Sequence, residues 1–234
     1  MRGTLMSAVG ALMMVALIGC ESIWGPSLPA EVDAKWCSIG TSITWYNSHP
    51  NRFKEGYQTR VLKQLKFREF VNVGVNGGCV SSAPGSVVPA DVYTVEHGIN
   101  DWGHAVKVGT IDDYVNNTAN GTFAATYRKL IDRIREVSPS AKIVLCTPRT
   151  AYGFGSYLPA SSSEPKKGIY LAEYAKVVRA IAAHEGFPVA DFYARCGEND
   201  ELESLSIDKA LHPNDAGFER MAQELVPALV DALW

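Results

Sequence analysis

Several features are missing from this 234-residue sequence, and each absence narrows what the chain can be. There is no excess of basic residues: 22 Lys and Arg stand against 25 Asp and Glu, a formal charge of −3. That excludes the electrostatic footprint of a nucleic-acid binder, and the balance is equally far from an acidic, solvated tail. No CxxC pair or histidine-rich tract occurs, so nothing signals a structural zinc site or any other metal. The most apolar stretch near the start, Leu12 to Ile18, is far shorter than the roughly 20 residues a membrane-spanning helix needs. No internal repeat is present. What remains is ordinary globular composition, 47% hydrophobic and 20% charged, in a length suited to one α/β domain.

The first residues stand apart. Arg2 precedes the short apolar run, and Leu17-Ile18-Gly19-Cys20 resembles the lipobox of bacterial lipoproteins. That resemblance implies a signal peptide over 1–19, lipidation of the Cys20 thiol, and a membrane-anchored exported protein at the bacterial cell envelope, periplasmic or cell-surface. The alternative is a plain secretory signal in which Cys20 is incidental. Residues 20–33, with Pro26 and Pro29, read as a tether, and the domain proper as 34–234. Without Cys20, four cysteines are left: Cys37, Cys79, Cys146 and Cys196. An even number in an exported chain permits disulfides without fixing their pairing. Cys37 and Cys146, inside apolar runs, also read as small buried hydrophobes.

Five short runs have the composition of buried strands: Lys35–Ile39, Phe70–Val75, Val92–Glu96, Ile143–Cys146 and Pro188–Phe192. Helical spacing separates most of them. It relates Tyr57, Val61, Leu62 and Leu65; Phe123, Tyr127, Leu130, Ile131 and Ile134; and Ile169, Ala172, Val177, Val178 and Ile181. A last helix starts near Ala216 and carries Met221, Leu225, Leu229 and Leu233 on one face, with Pro227 as a bend or break. Strands alternating with helices give βαβ units and a parallel sheet covered on both faces. Ligands of such sheets bind at the carboxyl ends of the strands, so the residues just past each strand are where chemistry is sought. The Gly-, Ser- and Tyr-rich segment 151–167 reads as a long surface loop bordering that region.

Past the first strand lies Gly40-Thr41-Ser42, past the second Asn76-Gly77-Gly78, and past the third Gly98-Ile99-Asn100-Asp101. Before the last helix lies Asp208-Lys209-Ala210-Leu211-His212-Pro213-Asn214. Singly these are ordinary: Ser after Gly opens helices, and Asn-Asp after a strand is turn chemistry. Together they supply a hydroxyl, a base, a carboxylate and amide donors, which is what acyl transfer requires. In their residues and block order they resemble the SGNH, or GDSL-like, hydrolases over nearly all of the chain past the tether. The resemblance implies a three-layer α/β/α, flavodoxin-like fold with a mostly five-stranded parallel sheet. It also implies Ser42 as nucleophile, His212 as base, and an oxyanion hole from the N–H groups of Ser42 and Gly77 with the Asn100 amide.

Two positions depart from the family pattern. Thr41 stands where the family has Asp. Asp208 lies four residues before His212 rather than three, and the three-residue position is Lys209, which cannot orient an imidazolium. Asp208 is taken as the third triad member; the alternative is a Ser-His dyad. The expected activity is a serine esterase that works through a covalent acyl-enzyme without a cofactor and removes short acyl groups such as acetyl from carbohydrate. A lipolytic esterase, thioesterase or lysophospholipase would use the same residues, and a binder of carbohydrate that has kept the fold is the non-catalytic alternative. His97, beside the GxND block, has no evident partner; His49, His104 and His184 read as surface residues. Trp45, Tyr46, Trp102 and the tyrosines of 151–157 are candidate groove-lining residues.

Overall fold

A computed structural model describes residues 30–46, 53–118, 120–161, 163–196, 199–208 and 210–234. The signal-peptide and Cys20 assignments, residues 20–29 of the tether, His49 and Lys209 lie outside the described residues.

Five strands form one parallel sheet: β1 (Ala30–Gly40), β2 (Leu65–Asn72), β3 (Val92–Glu96), β4 (Lys142–Cys146) and β5 (Val189–Ala190), in the order β2-β1-β3-β4-β5. Every residue of β3 is buried, and so are all of β4 after Lys142, as expected of strands covered on both faces. The intervening helices are α1 (Ser42–Trp45), α2 (Tyr57–Leu62), α3 (Ile99–Gly103), α4 (Ile111–Val115), α5 (Phe123–Val137), α6 (Leu171–Glu185), α7 (Phe192–Arg195), α8 (Asn199–Ser204) and α9 (Asp215–Leu233). α2, α7 and α9 pack together on one face of the sheet; α3 to α6 group on the other. The result is the α/β/α, flavodoxin-like arrangement that the sequence implies. Its strand order reverses between β1 and β3, which places the natural ligand crevice past Gly40 and Glu96.

α5 shows why these segments are helical. Thr122 caps it by accepting from the Ala125 N–H at 3.3 Å, and Phe123, Tyr127, Leu130, Ile131 and Ile134 are all buried on one face. α9 is capped likewise by Asn214 on the Gly217 N–H. It runs unbroken through Pro227, which lies on its exposed side.

The differences from the sequence expectation have local causes. β1 begins at Ala30, so residues 30–33 of the expected tether belong to the sheet, Ala30 pairing with Leu65. Glu31 and Asp33 lend this segment a polar look. They alternate with buried Val32 and Ala34 and meet Lys66 and Arg68 on the neighbouring strand. Leu65 opens β2 instead of closing α2, which stops at Leu62. The expected second strand, Phe70–Val75, is β2's final residues plus an extension, in which Val73 and Val75 donate to the Ser38 and Gly40 carbonyls. β5 is only two residues long because Asp191 accepts from the Ala194 N–H and starts α7 at Phe192. Ile169 precedes α6, and Ala172 is on its exposed side. The four cysteines in the domain are free: Cys37, Cys146 and Cys196 are buried, and Cys79 is half-buried.

Candidate active site

β1 delivers Ser42 to the carboxyl edge of the sheet, and one buried carboxylate holds it there. The Thr41 side chain caps α1 by accepting from the Ile43 N–H at 3.2 Å. Its hydroxyl in turn donates to Glu96 Oε2 at 2.7 Å, and its N–H reaches the same oxygen at 3.2 Å. Thr44 Oγ1 donates to that oxygen as well, at 3.2 Å. Glu96, the last residue of β3, is thus a fixed acceptor beneath the turn that presents Ser42. Burial pushes its carboxyl up to about 7, with the Thr41 and Thr44 donors opposing.

The histidine arrives on a tightly closed loop. Ser206 bridges to Pro213, Ile207 N–H donates to the His212 carbonyl at 2.9 Å, and Asn214 N–H donates to the Leu205 carbonyl. His212 Nε2 lies 3.1 Å from Ser42 Oγ. On the other side of the ring, Nδ1 lies 2.5 Å from Asp208 Oδ2. Asp208 Oδ1 accepts from the backbone N–H of His212 at 2.7 Å. The carboxylate therefore grips the ring and its own backbone together, which is how a four-residue separation still aligns the two side chains. Such a line of hydroxyl, imidazole and carboxylate can strip a proton from Ser42 and stabilise the resulting imidazolium.

The residues expected to supply amide donors line the same cleft. The N–H of Ser42 lies in the first turn of α1, where backbone donors have no intrahelical partner. Gly77 has φ +72°, a conformation that L side chains rarely adopt. Asn100, at the start of α3, donates from Nδ2 to the Gly78 carbonyl at 3.0 Å, and its Oδ1 accepts from the Tyr157 hydroxyl at 3.0 Å. Asp101 turns the other way: both its oxygens take the Val80 N–H, at 3.2 and 3.3 Å, pinning the segment that follows Gly78. Burial pushes Asp101 up to about 7. Ser42, Gly77, Asn100, Asp208 and His212 all line one cleft of about 520 Å³, walled further by Tyr46, Phe53, Phe154, Ile207 and Leu211.

The sequence profile of the GDSL-like lipase/acylhydrolase family matches residues 38–220. The chain belongs to that family. Among solved structures, a possible lipase from Chitinophaga pinensis DSM 2588 is 28% identical with a TM-score of 0.75, over 85% of this chain and 98% of that one. A protein from Lactobacillus plantarum shares the fold at 19% identity (TM-score 0.69; 87% of this chain, 99% of that one). So does a catalytic mutant of an acetylxylan esterase from Geobacillus stearothermophilus, at 20% identity (TM-score 0.57; 86% and 95%). No curated protein matches the chain.

Within this GDSL-like framework the aromatic expectations divide. Tyr46 and Tyr157 line the cleft, whereas Trp102 is fully buried and donates to the Ile169 carbonyl. Tyr152 donates to Glu203, and Trp45 lies half-exposed against the Tyr46 ring without lining the cleft. His104 is exposed as expected, but it borders the cleft. His97 is fully buried, neither ring nitrogen makes a hydrogen bond of good geometry, and burial lowers its pKa to about 4. His184 lies on the exposed side of α6. Among the described residues no cluster of His, Cys, Asp or Glu could hold a metal ion.

Three contributors have no counterpart in the motif reading. Glu96 is one, and the loop residue Phe154 is another. The third is Arg149, fully buried past the end of β4, which donates to the Leu211 carbonyl at 3.2 Å and to Ser206 Oγ at 3.1 Å. It ties down the loop that carries Asp208 and His212. Burial lowers its pKa, and the Asp208 and Glu96 carboxylates oppose that shift. The signal for Arg149 and Glu96 was positional: both stand at carboxyl ends of strands, where an α/β sheet collects its chemistry.

Proposed function

We propose that the chain is a carboxylic ester hydrolase that works through an acyl-enzyme on Ser42 and removes short acyl groups, acetyl foremost, from carbohydrate. The observation that carries the reading is the unbroken line from Ser42 Oγ through both nitrogens of His212 to Asp208, at 3.1 and 2.5 Å. Ser42 Oγ attacks the ester carbonyl while its proton passes to His212 Nε2. The carbonyl oxygen, now an anion, is received by the N–H groups of Ser42 and Gly77 and the Asn100 amide. As the carbon–alcohol bond breaks, Nε2 returns the proton to the departing alcohol. Water then repeats the sequence against the acyl-enzyme and frees Ser42. Asp208 keeps the ring in the tautomer that leaves Nε2 available.

The alcohol must leave past His212, since His212 protonates it. There the Tyr46 and Phe154 rings stand edge-on to the imidazole, at 5.8 and 6.0 Å, and Phe154 is 42% exposed. Aromatic faces at an open rim suit the C–H face of a sugar ring. The apolar walls from Phe53, Ile207 and Leu211 favour a second reading, a lipolytic esterase or thioesterase with the same machinery. The two part on a panel of p-nitrophenyl esters of rising chain length beside acetylated xylan and pectin. Highest kcat/KM at acetyl with acetate release from polysaccharide supports the first reading. A maximum at long chains sinks it in favour of the second. Polysaccharide binding without turnover of any ester would make the protein a non-catalytic carbohydrate binder.

Arg2, the apolar run and the lipobox-like Leu17-Ile18-Gly19-Cys20 support a lipid-anchored, exported form. Cells fed radioactive palmitate should give a labelled band that Cys20→Ala abolishes; a soluble, unlabelled product would refute the anchor.

A further inference from the structure

We propose that Tyr157 is a positioning residue for the Asn100 amide, and that the absence of a side chain at Gly103 is what lets it reach. The inference rests on the reading of Asn100 as an oxyanion donor and concerns what aims it.

A side-chain amide offers one oxygen and two N–H bonds. In Asn100 the oxygen receives the Tyr157 hydroxyl at 3.0 Å, closer than the backbone carbonyl of the same residue at 3.3 Å, and one N–H is taken by the Gly78 carbonyl at 3.0 Å. One N–H is left over, on a residue that lines the cleft beside Ser42 and Gly77. Exchanging oxygen and nitrogen would set the amide oxygen against the Gly78 carbonyl, two acceptors with no hydrogen between them. The Gly78 carbonyl thus decides which end of the amide is which. It does not by itself fix the plane, because the terminal torsion of asparagine is a broad rotor. A second contact at the opposite end does. Burial holds the Tyr157 phenol above its ordinary range, so it remains a donor at neutral and mildly alkaline pH.

The reach of Tyr157 is built into α3. Gly103 lies three residues after Asn100, on the same side of the helix. A Cβ at Gly103 would fall 2.3 Å from Tyr157 Cζ and 2.7 Å from its hydroxyl oxygen, so the ring occupies the space a side chain would take. The His104 ring also meets that of Tyr157 edge-on, centroids 5.2 Å apart. The loop that carries the tyrosine is closed on itself by Gly153 N–H to the Pro159 carbonyl at 2.6 Å and by Tyr157 N–H to the Phe154 carbonyl. A donor whose direction is fixed before the charge develops costs no reorganisation during the reaction. Tyr157 supplies that fixity from outside the family's motif blocks.

The test is steady-state kinetics on p-nitrophenyl acetate for wild type, Tyr157→Phe, Gly103→Ala, Asn100→Ala, and each of the first two combined with Asn100→Ala. Tyr157→Phe keeps the ring and loses the hydroxyl; Gly103→Ala keeps the tyrosine and displaces it. Each should lower kcat by about tenfold with KM within about twofold, less than the roughly 100- to 1,000-fold expected for losing an oxyanion donor outright. Neither should lower kcat further once Asn100 is alanine. A Tyr157→Phe enzyme within twofold of wild-type kcat overturns the proposal. So does a rise in KM at constant kcat, which would make Tyr157 a substrate contact, or a full additional loss in the Asn100→Ala background. If Asn100→Ala leaves kcat unchanged, or wild type does not turn over the ester, the reading of the site fails and this inference with it.

Discussion

The Thr41 hydroxyl donates to Glu96 Oε2 across 2.7 Å, at the position where the family carries an aspartate. An aspartate there would oppose a second carboxylate in a buried site, and like charges at that distance cannot both ionise without a large penalty. Thr41 and Glu96 therefore act as one pair, a neutral donor matched to a buried carboxylate.

Thr41→Asp, which restores the family's residue, should thus harm this protein. The melting temperature should fall by several degrees at pH 8, and the loss should shrink at pH 5, where Glu96 is protonated. Adding Glu96→Gln should recover most of it. Thermal melts of wild type and the two variants at both pH values decide the matter, and a single variant as stable as wild type at pH 8 refutes the pairing.

The buried ionisable groups give opposite slopes to stability against pH. Glu96, raised from its usual 4.5 to about 7, and Asp101, raised to about 7, hold protons in the fold that the unfolded chain releases. Their contribution is complete below about pH 4 and is lost as pH climbs to 7. His97, lowered from 6.5 to about 4, acts the other way: its contribution is complete above 6.5 and is lost as pH falls toward 4. Glu96→Gln should accordingly gain on wild type between pH 4.5 and 7 and hold a constant difference above that. Melts at half-unit steps should show this rise and plateau; a flat difference would mean that Glu96 titrates normally.

Asp208→Ala should reduce kcat on an activated ester by about a thousandfold or more, and Ser42→Ala or His212→Ala by at least as much. The Ser42–Asp208 double variant should be little worse than Ser42→Ala, since the three act as a unit. Glu203→Ala is the control: its carboxylate takes the Tyr152 hydroxyl at 2.9 Å, so kcat should stay near wild type. An Asp208→Ala enzyme within about tenfold of wild type would leave a Ser-His dyad.

Arg149 anchors the catalytic loop through the Leu211 carbonyl and Ser206 Oγ. Arg149→Met should lower both the melting temperature and kcat, the latter by about ten- to a hundredfold, since small misplacement of His212 is costly. Arg149→Lys should recover little, because one ammonium cannot span two acceptors as a planar guanidinium does. Unchanged kcat in Arg149→Met would show that the loop holds its shape without this anchor.

The sequence made the architecture legible wherever a strand is buried on both faces. Val92–Glu96 is recovered to the residue, and Ile143–Cys146 to within one. Legibility failed at β1, β2 and β5, where charged or capping residues interrupt the apolar pattern: Glu31 and Asp33 in β1, Lys66, Arg68 and Glu69 in β2, and Asp191 after β5. At the site, Ser42, His212, Gly77 and Asn100 stand in blocks whose joint resemblance to the family marked them, and the structure places them around one cleft with Asp208. Glu96, Arg149 and Tyr157 stand outside those blocks. Each depends on a partner 50 residues or more away in the chain, and only the folded sheet brings the two together.

Ala30 opens β1, and Ser42 lies two residues past the other end of that strand at Gly40. Eleven residues, at about 3.3 Å each, put roughly 35 Å between the point where the polypeptide enters the sheet and the reacting hydroxyl. The reacting hydroxyl thus stands at the edge of the sheet opposite the one where Ala30 enters.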